Sequence, residues 1–581
     1  MTRPPAVSDL SPGPVDQAPA STPPPAAPNP ARWRVLAALL LALFMVLLDT
    51  SIVTNGLATL QRDLNASSAQ VQFILTGYTV AFGVLLITGG RLGDLYGRRR
   101  IFLLGMAGFT LTSALCGLAW SPLALILFRV LQGMTAALLL PQVGSFIQVL
   151  FAPTERPRAF GLQGAVIGLG IIAGPLLGGT LIDANLFGTL WRPIFLVNVP
   201  VGIIALLWAW RVLGESKSGT VGGLDIPGVA LLSLALGLMI YPVVEGRDQG
   251  WPVWVFGLLV LSFVLLAVFV LYQRRQVALG HSPLVQLSLF SERSFAVGAA
   301  IAFVFQSSVR SYFVAMSVFL QVGLGYGPTR AALLLIAYQI SIAVSSLLSA
   351  RLGARLGRNI LTLGTLLLMV GLVGTLLILQ ASALNYRGYE LIPALIVSGL
   401  GFGCVAAPIQ NVILSRVNPV FAGSASGMLA TVQQVGSALG VAVIGVLLFG
   451  HLASGADAAS ARVRPALEQA LGRLSLPAPA AGAISAGFSA CVHERFNQKD
   501  LNLVPASCQP SGKLPAALVQ PVGAALSSAA TEVRHQNFLA AILYTLRFQL
   551  IAYAVCFLLV FLLPGRSRVA PTPPALQVAR P

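Results

Sequence analysis

The chain has 581 residues, of which 56% are hydrophobic and only 9% are charged, and its formal net charge is +18. A soluble domain carries about a quarter charged residues, so this composition excludes a soluble globular protein. The basic residues lie in short connections between apolar runs, where membrane topology accounts for them, so we expect no nucleic-acid partner.

The chain opens with a Pro/Ala/Ser-rich segment, and apolar runs fill most of the remaining sequence. Residues 1–33 contain no apolar core with a cleavage site, so we expect a disordered cytoplasmic tail and no cleaved signal peptide. Fourteen later runs are close to the roughly 20 residues that cross a bilayer as a helix. They cover 35–57, 71–90, 101–120, 123–147, 160–183, 194–213, 226–244, 252–272, 295–322, 330–350, 360–380, 391–413, 424–450 and 538–563.

Basic residues are unevenly divided between the two sides of these spans. If the N-terminus is inside, the cytoplasmic connections carry most of the arginines, and the outer connections carry mostly single ones. The positive-inside rule therefore predicts that both termini are cytoplasmic, with a second tail at 564–581.

The connection after the second span is rich in charge and glycine. It runs from Gly89 to Arg100 and carries one carboxylate and four arginines. Glycines let two helix ends approach closely and reverse direction, so the sequence predicts a tight turn here. The residues expected to form it are Gly90, Gly93, Asp94, Gly97, Arg98 and Arg99.

The same pattern returns about 260 residues later. Arg351–Arg358 repeats Arg91–Arg98, but Ala354 replaces Asp94. This offset predicts two homologous halves with a substrate site between them at mid-membrane depth. The predicted parts are a six-helix bundle at 34–213, two linker transmembrane helices at 214–275, and a second six-helix bundle at 276–563.

Asp49 is the clearest carboxylate deep inside an apolar span. An ionised carboxylate is costly there, so it must face a cavity, pair with a cation or be protonated. We expect a proton carrier, and the alternative is a fixed structural ion pair.

Two arginines inside the spans are candidate partners of this carboxylate. With a rise of 1.5 Å per residue, Arg129 in the fourth span and Asp49 in the first reach nearly the same depth. We therefore expect Arg129 to stabilise ionised Asp49 and to be released by protonation. Arg310 lies as far into the ninth span, so we expect it to be the counterpart of Asp49 in the second half. If Arg310 faces the substrate cavity between the halves, it would favour substrates with anionic or zwitterionic groups.

The fifth span carries a stripe of small residues. Positions 170, 174 and 178 lie on one helix face and allow close packing, and a proline kinks the helix. Such a helix can seal one side of a transporter and pivot against its neighbour, although plain small-residue packing is also common in membranes. The residues are Gly170, Gly174, Pro175, Gly178 and Gly179.

These motifs together resemble the major facilitator superfamily. The turn after the second span resembles its G-x-L-a-D-r-x-G-r-r signature, which in that family acts as a cytoplasmic latch. The segment beginning at Arg129 resembles R-x-x-Q-G-x-x-x-A, whose arginine is linked to proton transfer, and the glycine stripe resembles the antiporter motif G-x-x-x-G-P-x-x-G-G.

Two further segments resemble the fourteen-helix drug:proton antiporter branch of that family. They begin at Leu48 and at Trp191. The resemblance implies an all-α membrane protein with 14 transmembrane helices, in two six-helix pseudo-repeats plus two inserted helices. Departures from the pattern at Thr54, Ala58, Pro193 and Phe73 put the substrate range in doubt more than transport itself.

Polar and aromatic side chains in the spans are candidates for the substrate cavity. Each could instead make an interhelical hydrogen bond, which is frequent in membrane proteins. They are Tyr78, Gln132, Gln163, Phe305, Gln306, Arg310, Tyr338, Gln339, Gln410, Asn411, Gln433 and Gln434.

The last outer loop, 453–537, is long, Ala-rich and moderately polar. We expect short amphipathic helices such as Val463–Leu474. Cys491 and Cys508 both lie on this oxidising side, so we expect a disulfide, with two free thiols as the alternative. The other cysteines read as small buried hydrophobes, and no spacing suits a metal or haem site, so we expect neither metal nor cofactor.

The function expected is export of amphiphilic organic compounds in exchange for protons, across the cytoplasmic membrane. Partners are the small substrate, protons and the bilayer, with an accessory extracytoplasmic protein left open, and we expect a monomer. A dedicated exporter of one metabolite or lipid would have the same fold. A membrane enzyme is disfavoured because no catalytic pair lies in the spans, and a scaffold would depend on 453–537 rather than on Asp49.

Overall fold

The protein is described from a computed structural model, over residues 31–184, 188–216, 223–246, 249, 252–281, 283–381, 388–474, 476–497, 505–508 and 516–564. The two predicted tails fall almost entirely outside these residues. The helices are α1 (Arg32–Asp63), α2 (Ser68–Tyr96), α3 (Arg98–Gly117), α4 (Pro122–Leu150), α5 (Arg156–Asp183), α6 (Pro193–Leu196), α7 (Asn198–Val212), α8 (Ile226–Gly246), α9 (Val253–Ala278), α10 (Arg293–Val318), α11 (Pro328–Leu356), α12 (Asn359–Ala381), α13 (Ile392–Leu414), α14 (Ala422–Gly472), α15 (Ala478–Asn497) and α16 (Ala516–Leu562).

The all-helical membrane architecture is confirmed. Within the described residues, fourteen helical segments are long and apolar enough to cross a membrane, with α6 and α7 together forming one of them. The exposed surfaces of the helices differ in polarity. The surface of α9 carries large apolar side chains such as Val260, Phe263 and Leu271, as expected where a helix faces lipid. By contrast, no large apolar side chain described on α1 or α10 is exposed.

The predicted turn at 89–100 is wrong in extent, because α2 continues through Tyr96. Only Gly97 leaves the helix, with φ +104°, before α3 begins at Arg98. A side chain would be strained in that conformation, which explains the glycine. The earlier glycines lie within the helix and allow close packing, Gly90 against Gly423 of α14. We call the end of the molecule at Gly97 the latch end and the opposite end the far end.

The predicted loop at 453–537 contains more helix than the short segments expected there. The membrane helices α14 and α16 run on into it, and α15 lies between them. Along α14 a buried apolar stripe continues past the predicted end of the span, through Leu452, Ala456, Val463 and Leu467. Because the buried apolar residues continue at helical spacing, α14 extends beyond residue 450. We call α15 with the adjoining parts of α14 and α16 the far-end extension.

Two helix pairs pack through glycines in matching ways. A Cβ at Gly170 of α5 would lie 2.8 Å from Leu47 of α1. A Cβ at Gly440 of α14 would collide with the backbone at Ser307 of α10. Both pairs therefore depend on close backbone approach, as small residues in membrane helices allow.

The burial of Asp49 and Arg310 differs, although they were expected to be counterparts. The two copies of the repeat are offset by 260 residues, which aligns Arg310 with Thr50, and both of these side chains are exposed. Asp49 is buried and points elsewhere. Counting residues gave the depth of Arg310 but not the direction of its side chain.

Candidate functional site

Asp49 lies at the centre of a buried polar network between α1, α3, α4 and α7. Its side chain is fully buried. Nη1 of Arg129 donates to Oδ2 at 2.6 Å. The other oxygen, Oδ1, accepts from Nε2 of Gln132 at 2.9 Å and from Nδ2 of Asn198 at 3.2 Å. Each carboxylate oxygen therefore has a donor, as a charge held inside a membrane protein requires.

The donors are themselves held in place by neighbouring groups. The hydroxyl of Ser113 accepts from Gln132 at 3.1 Å and from Asn198 at 3.2 Å. It donates in turn to the carbonyl of Phe195 at 3.2 Å. The network therefore joins four helices of the first half without a solvent-exposed member.

Arg129 has further partners besides the carboxylate. Nη1 also donates to Oε1 of Gln132 at 2.7 Å, and Nε donates to the Ile74 carbonyl at 3.4 Å. Its guanidinium carbon lies 4.2 Å from the centre of the Tyr78 ring, which supplies a cation–π contact. The cation thus has a carboxylate, an amide, a carbonyl and an aromatic face around it.

Two residues expected in the substrate cavity lie in this network instead. Gln132 and Tyr78 are buried, and both contact Arg129. Sequence reasoning also missed Ser113 and the role of Asn198. Asn198 was visible as the asparagine of the segment that begins at Trp191, whereas Ser113 carried no signal beyond a hydroxyl in an apolar helix.

Exposed polar residues adjoin the buried carboxylate. Thr50 follows Asp49 directly and is exposed, as is Thr54 one turn further along. The exposed face of α1 is therefore polar here, in contrast to the apolar exposed face of α9. Since a lipid-facing surface at this depth is normally apolar, this face suits a water-filled space between helices.

At the latch end, Asp94 joins α2 to the start of α14. Oδ1 accepts from the backbone N–H of Gly423 at 3.0 Å, and Oδ2 accepts from the N–H of Ser424 at 2.8 Å and from its hydroxyl at 3.0 Å. Free N–H groups at a helix N-terminus bind anions well. Arg98 adds an ion pair of 2.9 Å to the same carboxylate.

Arg98 and a second side chain connect the halves at this end. Nη2 of Arg98 donates to the Pro419 carbonyl at 2.9 Å. On α4, Nε2 of Gln148 donates to the carbonyls of Leu414 and Val417 at 2.6 and 3.0 Å. The latch end of the molecule is therefore closed by buried hydrogen bonds from the first half to the second. Arg99, also expected in the latch, donates to the Trp210 carbonyl at 2.8 Å within the first half.

The glycine stripe of α5 lies against α1. A Cβ at Gly174 would collide with the Ser51 hydroxyl, whereas a Cβ at Gly179 would meet nothing within 4 Å. Gly178 is buried and Pro175 half-buried, inside a continuous helix. Another face of α5 packs on α11, where Gly168 would place a Cβ 3.1 Å from the Gln339 carbonyl. This helix therefore contacts both halves.

The other expected cavity residues are spread over α5, α10, α11, α13 and α14. The buried ones are Gln163, Phe305, Tyr338 and Gln339, and the half-buried ones are Gln306, Gln410, Asn411, Gln433 and Gln434. Arg310 is the exposed member of the set.

The far-end extension contains the expected cysteine pair. The structure joins Cys491 of α15 to Cys508 in a disulfide. The remaining cysteines, Cys116, Cys404 and Cys556, are free and buried. Cys116, expected to be a small buried hydrophobe, also lies 3.5 Å from Oε1 of Gln132. No group of metal-binding side chains occurs among the described residues.

Comparison with known proteins places these features in context. The family model of the Major Facilitator Superfamily matches residues 39–441. A "Probable actinorhodin transporter" of Streptomyces coelicolor is 38% identical over 98% of this chain and 97% of its own length. A puromycin resistance protein of Streptomyces alboniger is 36% identical over 74% of this chain and 84% of its own.

Two further comparisons involve proteins that are less similar to this chain. A multidrug resistance protein of Mycobacterium tuberculosis is 32% identical over 74% of this chain and 77% of its own length. Among solved structures, the human organic anion transporter MFSD10 superposes with a TM-score of 0.51 at 16% identity, covering 72% of this chain and 94% of that one. At that identity the match supports the fold alone.

Proposed function

The chain belongs to the major facilitator superfamily, and from this premise we propose that it is a proton-coupled antiporter exporting amphiphilic organic compounds across the cytoplasmic membrane. Its relatives named above include antibiotic and multidrug resistance proteins, which supports export as the direction of transport. The single observation that carries the proposal is the buried Asp49–Arg129 pair, one residue from exposed Thr50.

Protonation of Asp49 is the proposed coupling step. The added proton removes the negative charge that Arg129, Gln132 and Asn198 together stabilise. A hydrogen bond to a charged group contributes about 1.5–3 kcal/mol, so neutralisation weakens several contacts at once. Arg129 then lacks its counter-charge in a medium where an isolated charge is costly, which favours rearrangement of α1 against its neighbours.

The latch and the glycine stripe supply the movement. Asp94 and Arg98 hold the halves together at the latch end, which we take as cytoplasmic because its connections carry the excess of arginine. Exposed Thr50 and Thr54 lie toward the far end, so the conformation corresponds to a transporter closed inside and open outside. Opening to the cytoplasm would break the Asp94 contacts while α5 slides on α1.

A narrower function, export of one dedicated compound, is the second candidate. The relative that covers 98% of the chain, the far-end extension included, is named for transport of a single compound, whereas the resistance proteins described above cover 74%. In this version the extension would serve the particular substrate or an accessory partner. We propose that the transporter works as a monomer in either case.

The proposal is tested in inside-out vesicles that carry the protein and an imposed pH gradient. Acridine-dye dequenching is followed as lipophilic cations, anions and neutral compounds are added singly. Dissipation of the gradient by some compounds supports proton antiport, and the number of active compounds separates broad from dedicated export. If no compound that the protein exports from whole cells dissipates the gradient, proton coupling is wrong.

A further inference from the structure

Arg310 is a cation deep in the membrane region that the coupling mechanism does not use. It lies about 26 Å along α10 from Arg293, at 1.5 Å per residue. Its side chain is exposed, yet no described large apolar side chain of α10 is exposed. A lipid-facing surface at this depth would be apolar, as on α9. Arg310 therefore faces a solvent-filled space between helices rather than lipid.

The neighbours of Arg310 locate that space more closely. Phe303 of α10 packs on Gly436 of α14. On another face of α10, the Phe313 ring centre lies 5.0 Å from that of Tyr338 on α11. Arg310 lies between these two faces on the helix, so it points into the gap between α14 and α11. By the 260-residue offset of the repeat, the equivalent position of the first half is Thr50, which is also exposed.

The face of α10 that carries Arg310 combines polar and aromatic side chains. Gln306, Arg310, Phe313 and Ser317 follow one another at spacings of four, three and four, which places them on one face of α10. All except the exposed arginine are half-buried. The stripe therefore offers one cation, one amide, one hydroxyl and one aromatic surface to a ligand.

Arg310 has no counter-charge in the described part of the chain. Arg129 of the Asp49 network and Arg98 of the latch each contact a carboxylate. Arg310 makes no ion pair or hydrogen bond with any described residue. The corresponding position of the first half is Thr50, which is neutral. An uncompensated guanidinium at this depth favours an anion.

We propose that Arg310 recognises the anionic group of the exported compound, a carboxylate or an ionised phenol, while Phe313 contacts its aromatic body. Guanidinium groups bind carboxylates in a bidentate geometry, and an adjacent aromatic ring favours a flat ring system. This inference rests on the proposed export function and names its substrate class. The compounds preferred are aromatic acids rather than lipophilic cations.

The first test uses a cysteine reporter at the level of Arg310. Thr50→Cys places a thiol on the exposed face of α1. Because the native free thiols are all buried, a thiol reagent should label the full-length protein only at position 50. Purified protein is treated with sulfonatoethyl or trimethylammoniumethyl methanethiosulfonate, which differ in charge. We expect the anionic reagent to be favoured, and Arg310→Gln to lower the ratio of rates by about fivefold.

Two further variants make the result specific. Arg310→Lys keeps the charge and should keep the ratio. Arg330→Gln removes an exposed charge near the far end of α11 and should change the ratio less than twofold. An unchanged ratio in Arg310→Gln, or no reaction of Thr50→Cys with either reagent, would overturn the proposal.

The second test addresses the ligand. Anthraquinone-2-carboxylate and anthraquinone-2-carboxamide are compared as protectants of Thr50→Cys against N-ethylmaleimide. The carboxylate should slow the labelling and the amide should not, and Arg310→Gln should abolish the difference. Lack of protection by the carboxylate, or equal protection after Arg310→Gln, contradicts the proposal. Neither test needs a proton gradient, so an anion site without proton exchange would uphold this inference and refute only the antiport.

Discussion

The carboxylate of Asp94 lies at the N-terminus of the helix that contains Ser424, accepting its backbone N–H at 2.8 Å and its hydroxyl at 3.0 Å. One side chain of α2 thereby caps a helix of the other half. Helix capping by an aspartate contributes about 0.5–2 kcal/mol in soluble proteins. The closed latch end depends on contacts of this size, which a transport cycle can break and form again.

Asp94→Asn should loosen the latch end. The amide keeps the shape but loses the charge that both helix N–H groups and Arg98 stabilise. We expect the distance between spin labels at positions 100 and 418 to increase and broaden, and transport to fall about tenfold, as removal of about 1.4 kcal/mol implies. The control is Glu292→Gln, which removes an exposed ion pair with Arg416 near the same end. An unchanged distance distribution in Asp94→Asn would show that the latch does not depend on this charge.

Gly174→Ala should impair packing between α5 and α1. The added Cβ would meet the Ser51 side chain and the backbone N of Ile52, the latter at 2.9 Å. Overpacking of this kind costs about 1–3 kcal/mol. We expect a lower thermal unfolding midpoint and slower transport. Gly179→Ala is the matched control, because its Cβ would meet nothing within 4 Å. Equal behaviour of the two variants would refute the packing role of the stripe.

Asn198→Leu should destabilise the Asp49 network. Oδ1 of Asp49 would lose one of its two amide donors, and the Ser113 hydroxyl would lose a partner. Leaving buried polar groups without a donor costs about 1–3 kcal/mol. We expect a reduced unfolding midpoint, and the loss should be much smaller when Asp49→Asn is already present. Strict additivity of the two substitutions would mean that the residues are not coupled.

The contacts of Asp63 at the far end predict that the stability of the protein depends on pH. The Trp191 indole donates to Oδ2 at 2.9 Å and Arg192 donates at 2.8 Å. The hydrogen bond from Trp191, and then the contacts with Arg192, lower the pKa of Asp63 below its ordinary value. Since the folded pKa is lowered, the stabilisation is fully present above the unfolded pKa of about 3.9 and is lost as pH falls through the folded value.

Asp63→Asn should therefore lower stability at pH 5–7 by up to about 1 kcal/mol, the usual range for a partly exposed pair. The difference from wild type should be constant across that window and should shrink below about pH 4. Unfolding midpoints measured across this range check it. If the stability difference between Asp63→Asn and the wild type grew toward low pH, the lowered pKa of Asp63 would be contradicted.

The sequence predicted the parts of this protein that depend on composition and depth. Apolar runs located the fourteen spans, because crossing a bilayer requires a minimum apolar length. Depth counting also anticipated that Asp49 and Arg129 lie at one level, where the structure has them paired. Both inferences need only the rise of a helix along its axis.

The direction in which a side chain points around the helix axis could not be predicted by counting residues. Gln132 and Tyr78 were expected in the cavity, but they lie in the buried network, because hydropathy does not say which face of an apolar helix meets which neighbour. Short helices were expected in the far-end extension, but the continuation of α14 and α16 into it was missed for a related reason. Its helices are Ala-rich and moderately polar, so their buried stripe is weak in the sequence and emerges only where α14, α15 and α16 pack together.

The most direct test of proton coupling is a comparison of exchange and accumulation in reconstituted Asp49→Asn protein. A radiolabelled compound known to be exported by the wild type is followed in proteoliposomes. We predict that the variant still exchanges internal for external compound, because binding and rocking do not need the charge, but no longer accumulates it when a pH gradient is imposed. If Asp49→Asn still accumulates the compound in response to the pH gradient as the wild type does, Asp49 is not the proton carrier and the account is wrong.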